Sequence, residues 1–259
     1  MAQESILLSF PQGLAGFPEL KAFNLFEPKG GYPLKFLQAA EHPEVSFVCM
    51  DIAAIKIDYE VPLCDEDANL LALERQEDAL VLALVVVPAN PRGMTANLAG
   101  PLVINAKTQV GLQVMLDANN YPLQYPVFGP KDEVVLQFPK GLIGFPDLKS
   151  FRLFEPAGGY PLKFLQAVDQ EEISFTCIDA GAIKGDYNFP LDEESAAFLA
   201  LERPQDALVL ALVVIPEDPR KMTANLAGPL VINVNSRNGC QLVLNPEQFP
   251  LKYPFIQER

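Results

Sequence analysis

The chain has 259 residues, 49% of them hydrophobic, and a formal net charge of −14 at pH 7. This acidity disfavours direct binding of nucleic acid, because a negative surface repels the phosphate backbone. The apolar fraction is typical of a globular protein with a buried core.

No segment of the sequence has the pattern of a secretory signal or a membrane span. The N-terminal residues MAQESILLSF lack a basic start. The most apolar run, residues 79–87, is much shorter than the roughly 20 residues of a spanning helix. The four cysteines form no CxxC pair, so neither a metal knuckle nor a disulfide framework is indicated. We therefore expect a cytoplasmic protein with reduced thiols and no membrane segment.

The sequence contains an internal duplication. The segment TANLAGPLVIN occupies residues 95–105 and recurs unchanged 128 positions later, at residues 223–233. An identical repeat of this length indicates two copies of one domain. We predict a first copy over residues 1–127 and a second over residues 134–259. The linker, residues 128–133, is so short that we expect the copies to lie side by side.

The first half of each copy reads as loops alternating with short strands. Residues 10–20, FPQGLAGFPEL, contain too many glycines and prolines for a helix and predict an irregular loop pinned by its apolar side chains. Extended segments follow at residues 21–26, 34–39 and 45–51, and the last of these is rich in β-branched and aromatic residues.

From Asp65 the pattern changes. Acidic residues precede a cluster of leucines, which predicts a short helix whose first turn is favoured by the helix dipole. Its counterpart begins at Asp192. Residues 78–88 predict a long buried strand. A bulged strand is predicted at residues 95–105, because Gly100-Pro101 interrupts regular pairing.

A hairpin through residues 107–111 and the segment YPLQYP at residues 121–126 complete the copy. With eight or nine short strands and one short helix, each copy is predicted to be mainly β, as a small barrel or a sandwich.

The sequence offers little for catalysis. Its single histidine, His42, corresponds to Gln170 in the second copy, and no nucleophile stands beside a base. There is no glycine-rich phosphate loop, and we expect no metal and no cofactor. Carboxylates recur at matched positions, among them Asp58 and Asp186, so a carboxylate-dependent β-barrel enzyme stays open as an alternative. A structural dimerising scaffold is a second alternative.

Five motifs in fixed order resemble the flagellar assembly factor family FliW. They are FPxGLxGFxxLKxF at 10–23, DYEVPL at 58–63, DALVLALVVVP at 78–88, TANLAGPLVIN at 95–105 and YPLQYP at 121–126. The same order recurs in the second copy, so the chain resembles a tandem pair of FliW domains.

The resemblance implies a small β-barrel in each copy, no catalysis and two protein partners. One partner is flagellin. The other is the translational regulator CsrA, which the family antagonises by binding away from its RNA surface. Family members usually carry a Pro- and Phe-rich loop before the DY pair, whereas here the loops read DIAAIKIDY at 51–59 and DAGAIKGDY at 179–187. The two copies could therefore divide the two tasks, or together take the place of a homodimer.

The residues that we expect to contact partners occupy the same motif positions in both copies. They are Asp58, Tyr59 and Asn97 in the first copy, and Asp186, Tyr187 and Asn225 in the second. For the two asparagines the alternative is a side chain that satisfies the backbone of a turn.

Overall fold

In the computed structural model, the chain is described over residues 5–27, 34–55, 58–88, 90–128, 133–155 and 162–256. Two eight-stranded sheets are present, one in each copy.

The first copy forms a closed barrel. Its strands are β1 (Ile6–Ser9), β2 (Ala22–Phe26), β3 (Leu34–Ala39), β4 (Ser46–Asp51), β5 (Ala79–Val86), β6 (Thr95–Asn105), β7 (Val110–Gln113) and β8 (Tyr125–Pro126). Their order is β5-β4-β3-β2-β1-β7-β6-β8, and β5 also pairs with β6. This additional pairing closes a ring in which no strand keeps a free edge, and β8 joins β6 outside it. The predicted mainly-β barrel is confirmed.

The second copy repeats the topology with a weaker closure. Its strands are β9 (Glu133–Gln137), β10 (Ser150–Phe154), β11 (Leu162–Ala167), β12 (Ser174–Asp179), β13 (Ala207–Val214), β14 (Thr223–Asn233), β15 (Gly239–Gln241) and β16 (Tyr253–Pro254). The sheet runs from β15 to β9, and a single parallel bridge, Gln137 to Asn238, joins its ends. The same two positions of the first copy, Ser9 and Val110, pair β1 with β7.

One helix in each copy lies where the acidic pattern predicts it. The helices are α1 (Asp65–Leu71), α2 (Ala180–Ile183) and α3 (Glu193–Leu199). Helix α1 has three acidic residues in its first turn, and the Cys64 sulfur caps it by accepting from the Asp67 amide. Helix α3 has a stronger cap, because the Asp192 carboxylate accepts from the Ser195 amide at 2.7 Å. The single turn α2 is an addition, and the first copy has a 3-10 turn (Ile52–Ala54) in its place.

The repeated segment forms a bulged strand, as its glycine and proline predict. Leu82 of β5 pairs with Leu102 of β6, but Leu84, only two residues further along, pairs with Asn97. One residue of β5 therefore faces residues 98–101 of β6, and the extra length bulges at Gly100-Pro101.

The prediction of a long buried strand at residues 78–88 was too broad. Leu82 and Ala83 are fully buried, but Val86 is 64% exposed. The reason is that the pairing with β4 ends at Val85, so the strand continues past the barrel wall. Asp78 lies outside the strand, in a preceding 3-10 turn.

The loop at residues 10–20 is pinned as predicted, because Phe10 and Leu14 are buried. Gly13 has φ +73°, and a Cβ there would lie 2.7 Å from the Phe17 carbonyl oxygen. Glycine is therefore required at this position.

Each copy has a core of its own, and a further core is shared. The shared cluster packs Phe26 and Phe36 of the first copy with Phe154 and Phe164 of the second. The Phe128 ring lies edge-on to Phe154 and Phe164, with centroids 5.1 and 6.0 Å apart. Of the predicted linker, residues 129–132 lie outside the described residues. The copies therefore pack directly against each other.

Polar contacts between the copies are reciprocal. Gln38 Nε2 donates to Asp218 Oδ1 at 3.2 Å, and Gln166 Nε2 donates to Asn90 Oδ1 at 2.9 Å. Both glutamines and both acceptors are related by the repeat offset. Reciprocal contacts of this kind are expected when two domains associate about a two-fold axis, as in a homodimer.

One charge pair breaks this symmetry. Arg92 lies 3.1 Å from Glu133 in the other copy and covers the Phe154 ring. Its counterpart Arg220 pairs instead with Asp218 of its own copy. Each arginine thus has a carboxylate, supplied across the interface in one case and locally in the other.

Candidate functional site

In the first copy, two of the predicted contact residues converge on the bulge of β6. The Asn97 side-chain oxygen accepts from the amides of Ala99 at 3.0 Å and Gly100 at 3.1 Å. The Tyr59 hydroxyl donates to the Leu98 carbonyl at 2.6 Å. These bonds satisfy backbone groups that the bulge removes from the sheet ladder. The Asn97 side chain therefore has the geometry of the alternative role, in which it satisfies the backbone of a turn.

The second copy reproduces the arrangement. Asn225 accepts from Ala227 and Gly228 at 3.0 Å each, and Tyr187 donates to the Leu226 carbonyl at 2.6 Å. The DY segment and the repeated strand are thus joined at one point in both copies.

A glutamine that was not among the predicted contact residues ties a third motif to this point. Gln113 Nε2 donates to the Gly100 carbonyl at 3.3 Å, and its Oε1 accepts from the Ala15 amide at 2.7 Å. A Cβ on Gly100 would lie 3.1 Å from that Nε2 atom and 3.2 Å from Asn97 Nδ2. The close approach of the two amides explains the glycine. The recurrence of glutamine at position 241 was the available signal.

The tyrosines are neutral hydrogen-bond donors. Burial, with a smaller contribution from Tyr121, raises the pKa of the Tyr59 hydroxyl well above its usual range. Burial raises the pKa of Tyr187 to about 12. The Tyr59 ring lies edge-on to Tyr121 at 5.6 Å, and the Tyr121 hydroxyl donates to the Glu60 carbonyl at 3.1 Å. The Tyr59 and Tyr187 hydroxyls therefore hold the local backbone and do not serve as bases near neutral pH.

Asp58 and Asp186, the remaining predicted contact residues, are exposed. The Asp186 carboxylate accepts from Lys184 Nζ at 2.6 Å, and this bond lowers its pKa. Because exposed ion pairs contribute little to stability, the pair of Lys184 and Asp186 adds little to the stability of this segment.

A groove of about 650 Å³ opens beside Tyr59 in the first copy. It lies between the DY segment, the end of α1 and the outer faces of β5 and β6. Its apolar lining includes Val61, Leu63, Leu73 and Val103. Glu60, Glu74 and Arg75 are polar members of its lining. The groove thus combines an apolar floor with a charged rim, which is the usual composition of a docking surface.

A buried asparagine fixes the end of α1 at this groove. Asn105, the last residue of β6, is 1% exposed. Its Nδ2 donates to the carbonyls of Leu71 at 2.8 Å and Ala72 at 3.0 Å. Its Oδ1 accepts from the amides of Lys107 at 2.9 Å and Thr108 at 3.2 Å. One side chain therefore joins the helix, the strand and the hairpin turn, and Asn233 has the same role in the second copy.

The four cysteines are free thiols. Cys49 and Cys177 are buried, and this burial raises the pKa of each thiol to about 12. Within the described ranges, no three His, Cys, Asp or Glu side chains group as metal ligands would. None of the helices there is long and apolar enough to cross a membrane.

Comparison with known proteins finds one family in both copies. The sequence model of the family described as "FliW protein" matches residues 1–127 and again residues 129–256. A flagellar assembly factor FliW from Caldanaerobacter subterraneus subsp. tengcongensis is 38% identical over 128 residues, covering 49% of this chain and 85% of the relative. Another, from Thermoanaerobacter pseudethanolicus, is 36% identical over 132 residues, covering 51% and 87%. A crystal structure of the flagellar assembly factor FliW shares 27% identity, covers 51% of this chain and 91% of its own, and superposes with a TM-score of 0.46.

Proposed function

The chain belongs to the FliW family, with a family match in each copy, and on this premise we propose that it is a non-enzymatic flagellar assembly factor of the cytoplasm. It acts by binding proteins. Its partners in this proposal are flagellin and the translational regulator CsrA. The observation that carries the proposal is the family match over both copies, which leaves only a few residues of the chain unmatched.

The chemistry of the site supports binding over catalysis. The Tyr59 hydroxyl and the Asn97 side-chain oxygen are both occupied by backbone groups of the bulge. Neither is available to activate a water or a nucleophile, because the raised pKa of Tyr59 keeps its hydroxyl protonated near neutral pH and no phenolate base is present. Both side chains stabilise the backbone conformation of the bulge at this surface.

We assign direct partner contact to the exposed Asp58 and Asp186, and to the ring of Tyr59 at the edge of the groove. Tyr187 holds the matching position in the second copy, and Asn97 and Asn225 contribute by fixing the bulges. The net charge of −14 favours partners that present basic surfaces. The ends of flagellin are amphipathic helices, and an apolar groove beside β6 suits one face of such a helix.

The tandem arrangement supports a single chain acting as a dimer would. The reciprocal contacts of Gln38 and Gln166 are those expected of two copies related by a two-fold axis. A symmetric CsrA dimer could then be engaged by one chain, because linked sites raise each other's effective concentration.

Calorimetric titration of the full chain with purified flagellin, and separately with purified CsrA, tests the proposal. We expect binding to flagellin, and one chain per CsrA dimer. The variant Asp58→Asn with Asp186→Asn should bind more weakly and lose part of the salt dependence, because two exposed charges are removed. A matched control is Asp117→Asn, an exposed carboxylate on another loop. Absence of heat with both partners would refute the proposal.

A further inference from the structure

The two copies differ at the groove in one apolar residue. Val61 lines the groove of the first copy. Its counterpart is Phe189, whose ring lies 5.2 Å from the Tyr187 ring. Phe189 also packs against the cluster that contains Val231, and Val231 is the counterpart of the groove residue Val103. Val61 packs in the same way against the cluster that contains Val103, so the second copy carries a larger side chain at the equivalent place.

The charged residues at the rim of the groove also differ between the two copies. Glu60 of the first copy corresponds to Asn188, whereas Glu74 corresponds to a second glutamate, Glu202. Arg75 on the same rim pairs with the buried Asp78 at 3.2 Å. The charge of Arg75 is therefore already balanced in part, and so is that of Glu74, which lies 4.0 Å from Lys107 Nζ. Glu60 is thus the rim carboxylate that a ligand meets in the first copy. Shape and charge thus both distinguish the first copy.

We propose that the first-copy groove is the docking site for a partner segment that inserts one large apolar side chain next to a lysine or arginine. The apolar side chain covers Val61, Leu63 and Leu73, and the basic residue faces Glu60. Phe189 acts as a built-in plug, so the second copy does not take the same segment. The inference rests on the proposed function and deepens it, because it assigns the segment-binding task to one copy.

The basis for this occupant is charge complementarity together with the apolar floor. A purely apolar segment would desolvate the Glu60 carboxylate without giving it a partner, which is costly. An acidic segment would be repelled by this carboxylate. A basic residue beside an apolar anchor satisfies both parts of the groove.

Reciprocal exchange of the two residues tests the inference in the full chain. Val61→Phe places in the first groove the side chain that the second copy already accommodates, and Phe189→Val does the reverse. Because each residue occurs naturally at the equivalent position, both variants are expected to fold, and circular dichroism verifies this. With purified flagellin, Val61→Phe should weaken binding at least 10-fold, and Phe189→Val should keep the wild-type affinity. Equal affinities for wild type and Val61→Phe would overturn the inference, as would a loss confined to Phe189→Val.

A second probe separates the groove from the identity of the partner. Fluorescent 12-residue peptides carry a central leucine or phenylalanine flanked by either lysines or glutamates, and binding is read as fluorescence polarisation. We expect the wild type to bind the lysine-flanked peptides at least 10-fold more tightly than the glutamate-flanked ones. Val61→Phe should abolish this binding, and Glu60→Asn should weaken it several-fold and reduce its salt dependence.

The outcomes are distinguishable. Peptide binding that is lost in Val61→Phe, together with no binding of flagellin, supports the groove and refutes flagellin as its partner. Failure of the wild type to bind any peptide of the panel, or an equal preference for both flanking charges, overturns the groove inference even if flagellin binds elsewhere.

Discussion

Replacement of Asn105 by alanine should lower the free energy of unfolding by about 2–4 kcal/mol. The side chain is 1% exposed and makes four hydrogen bonds to backbone groups. The amides of Lys107 and Thr108 lie in an exposed turn and can bond to water instead. The Leu71 carbonyl has no such access, and an unsatisfied buried group costs about 1–3 kcal/mol. The rest of the loss in the free energy of unfolding comes from the other lost hydrogen bonds and from the small cavity that alanine leaves.

Urea denaturation followed by circular dichroism measures this loss, because the chain contains no tryptophan to report by fluorescence. The m-value should stay unchanged, which would place the effect in the folded state. Asn233→Ala should give a similar loss, since its side chain makes equivalent bonds. The control Asn69→Ala, in an exposed position of α1, should change stability by no more than about 0.5 kcal/mol.

The variant Asn105→Asp refines the test. It keeps an acceptor for the turn amides but directs a carboxylate at the carbonyls of Leu71 and Ala72. We expect it to be destabilised at pH 7 and partly restored at acidic pH, where a protonated carboxyl can donate. A loss below about 0.5 kcal/mol for Asn105→Ala would refute the role assigned to this side chain.

Three further predictions concern packing, the contact between copies and acid stability. A Cβ at Gly111 would lie 2.6 Å from the Phe10 ring, so Gly111→Ala should lower the free energy of unfolding by about 1–3 kcal/mol in urea denaturation. An unchanged free energy of unfolding would contradict this close packing. Phe128→Ala removes a ring packed against the other copy and should cost about 3–5 kcal/mol; calorimetry should then show two transitions, and one unchanged transition would contradict the shared core. Cationic donors lower the pKa of Asp78 and of Asp206, so the stabilisation from these carboxylates is complete above the usual aspartate pKa of 3.8 and is lost as pH falls below it. Asp78→Asn should therefore make the melting temperature fall less steeply towards acidic pH, and an unchanged pH profile would contradict this.

The elements that could be predicted are those that depend on local pattern. The acidic turn before the leucines of α1 and the Gly100-Pro101 bulge of β6 each have a local physical cause. The barrel itself was predicted from the resemblance, which rests on five motifs in a fixed order. For β5, apolar composition overstated burial, because the strand passes the end of its pairing with β4. Composition does not report where a neighbouring strand stops.

The candidate site was only partly predictable. The sequence pointed to Tyr59 and Asn97, but not to their shared contact with the bulge. Tyr59 and Leu98 are 39 positions apart in the sequence and meet only after folding. The recurrence of Gln113 as Gln241 marks the position, but it does not show which backbone groups the side chain joins. The exchange of Val61 for Phe189 is visible in the sequence, yet its consequence depends on a groove that no local pattern describes.

Native mass spectrometry of the full chain with an excess of purified flagellin counts the flagellin molecules that each chain binds. We expect a complex of one flagellin with one chain, which is lost in Val61→Phe and kept in Phe189→Val. Two flagellin molecules bound per wild-type chain, or a one-to-one complex that survives Val61→Phe, would contradict the assignment of flagellin binding to the first copy.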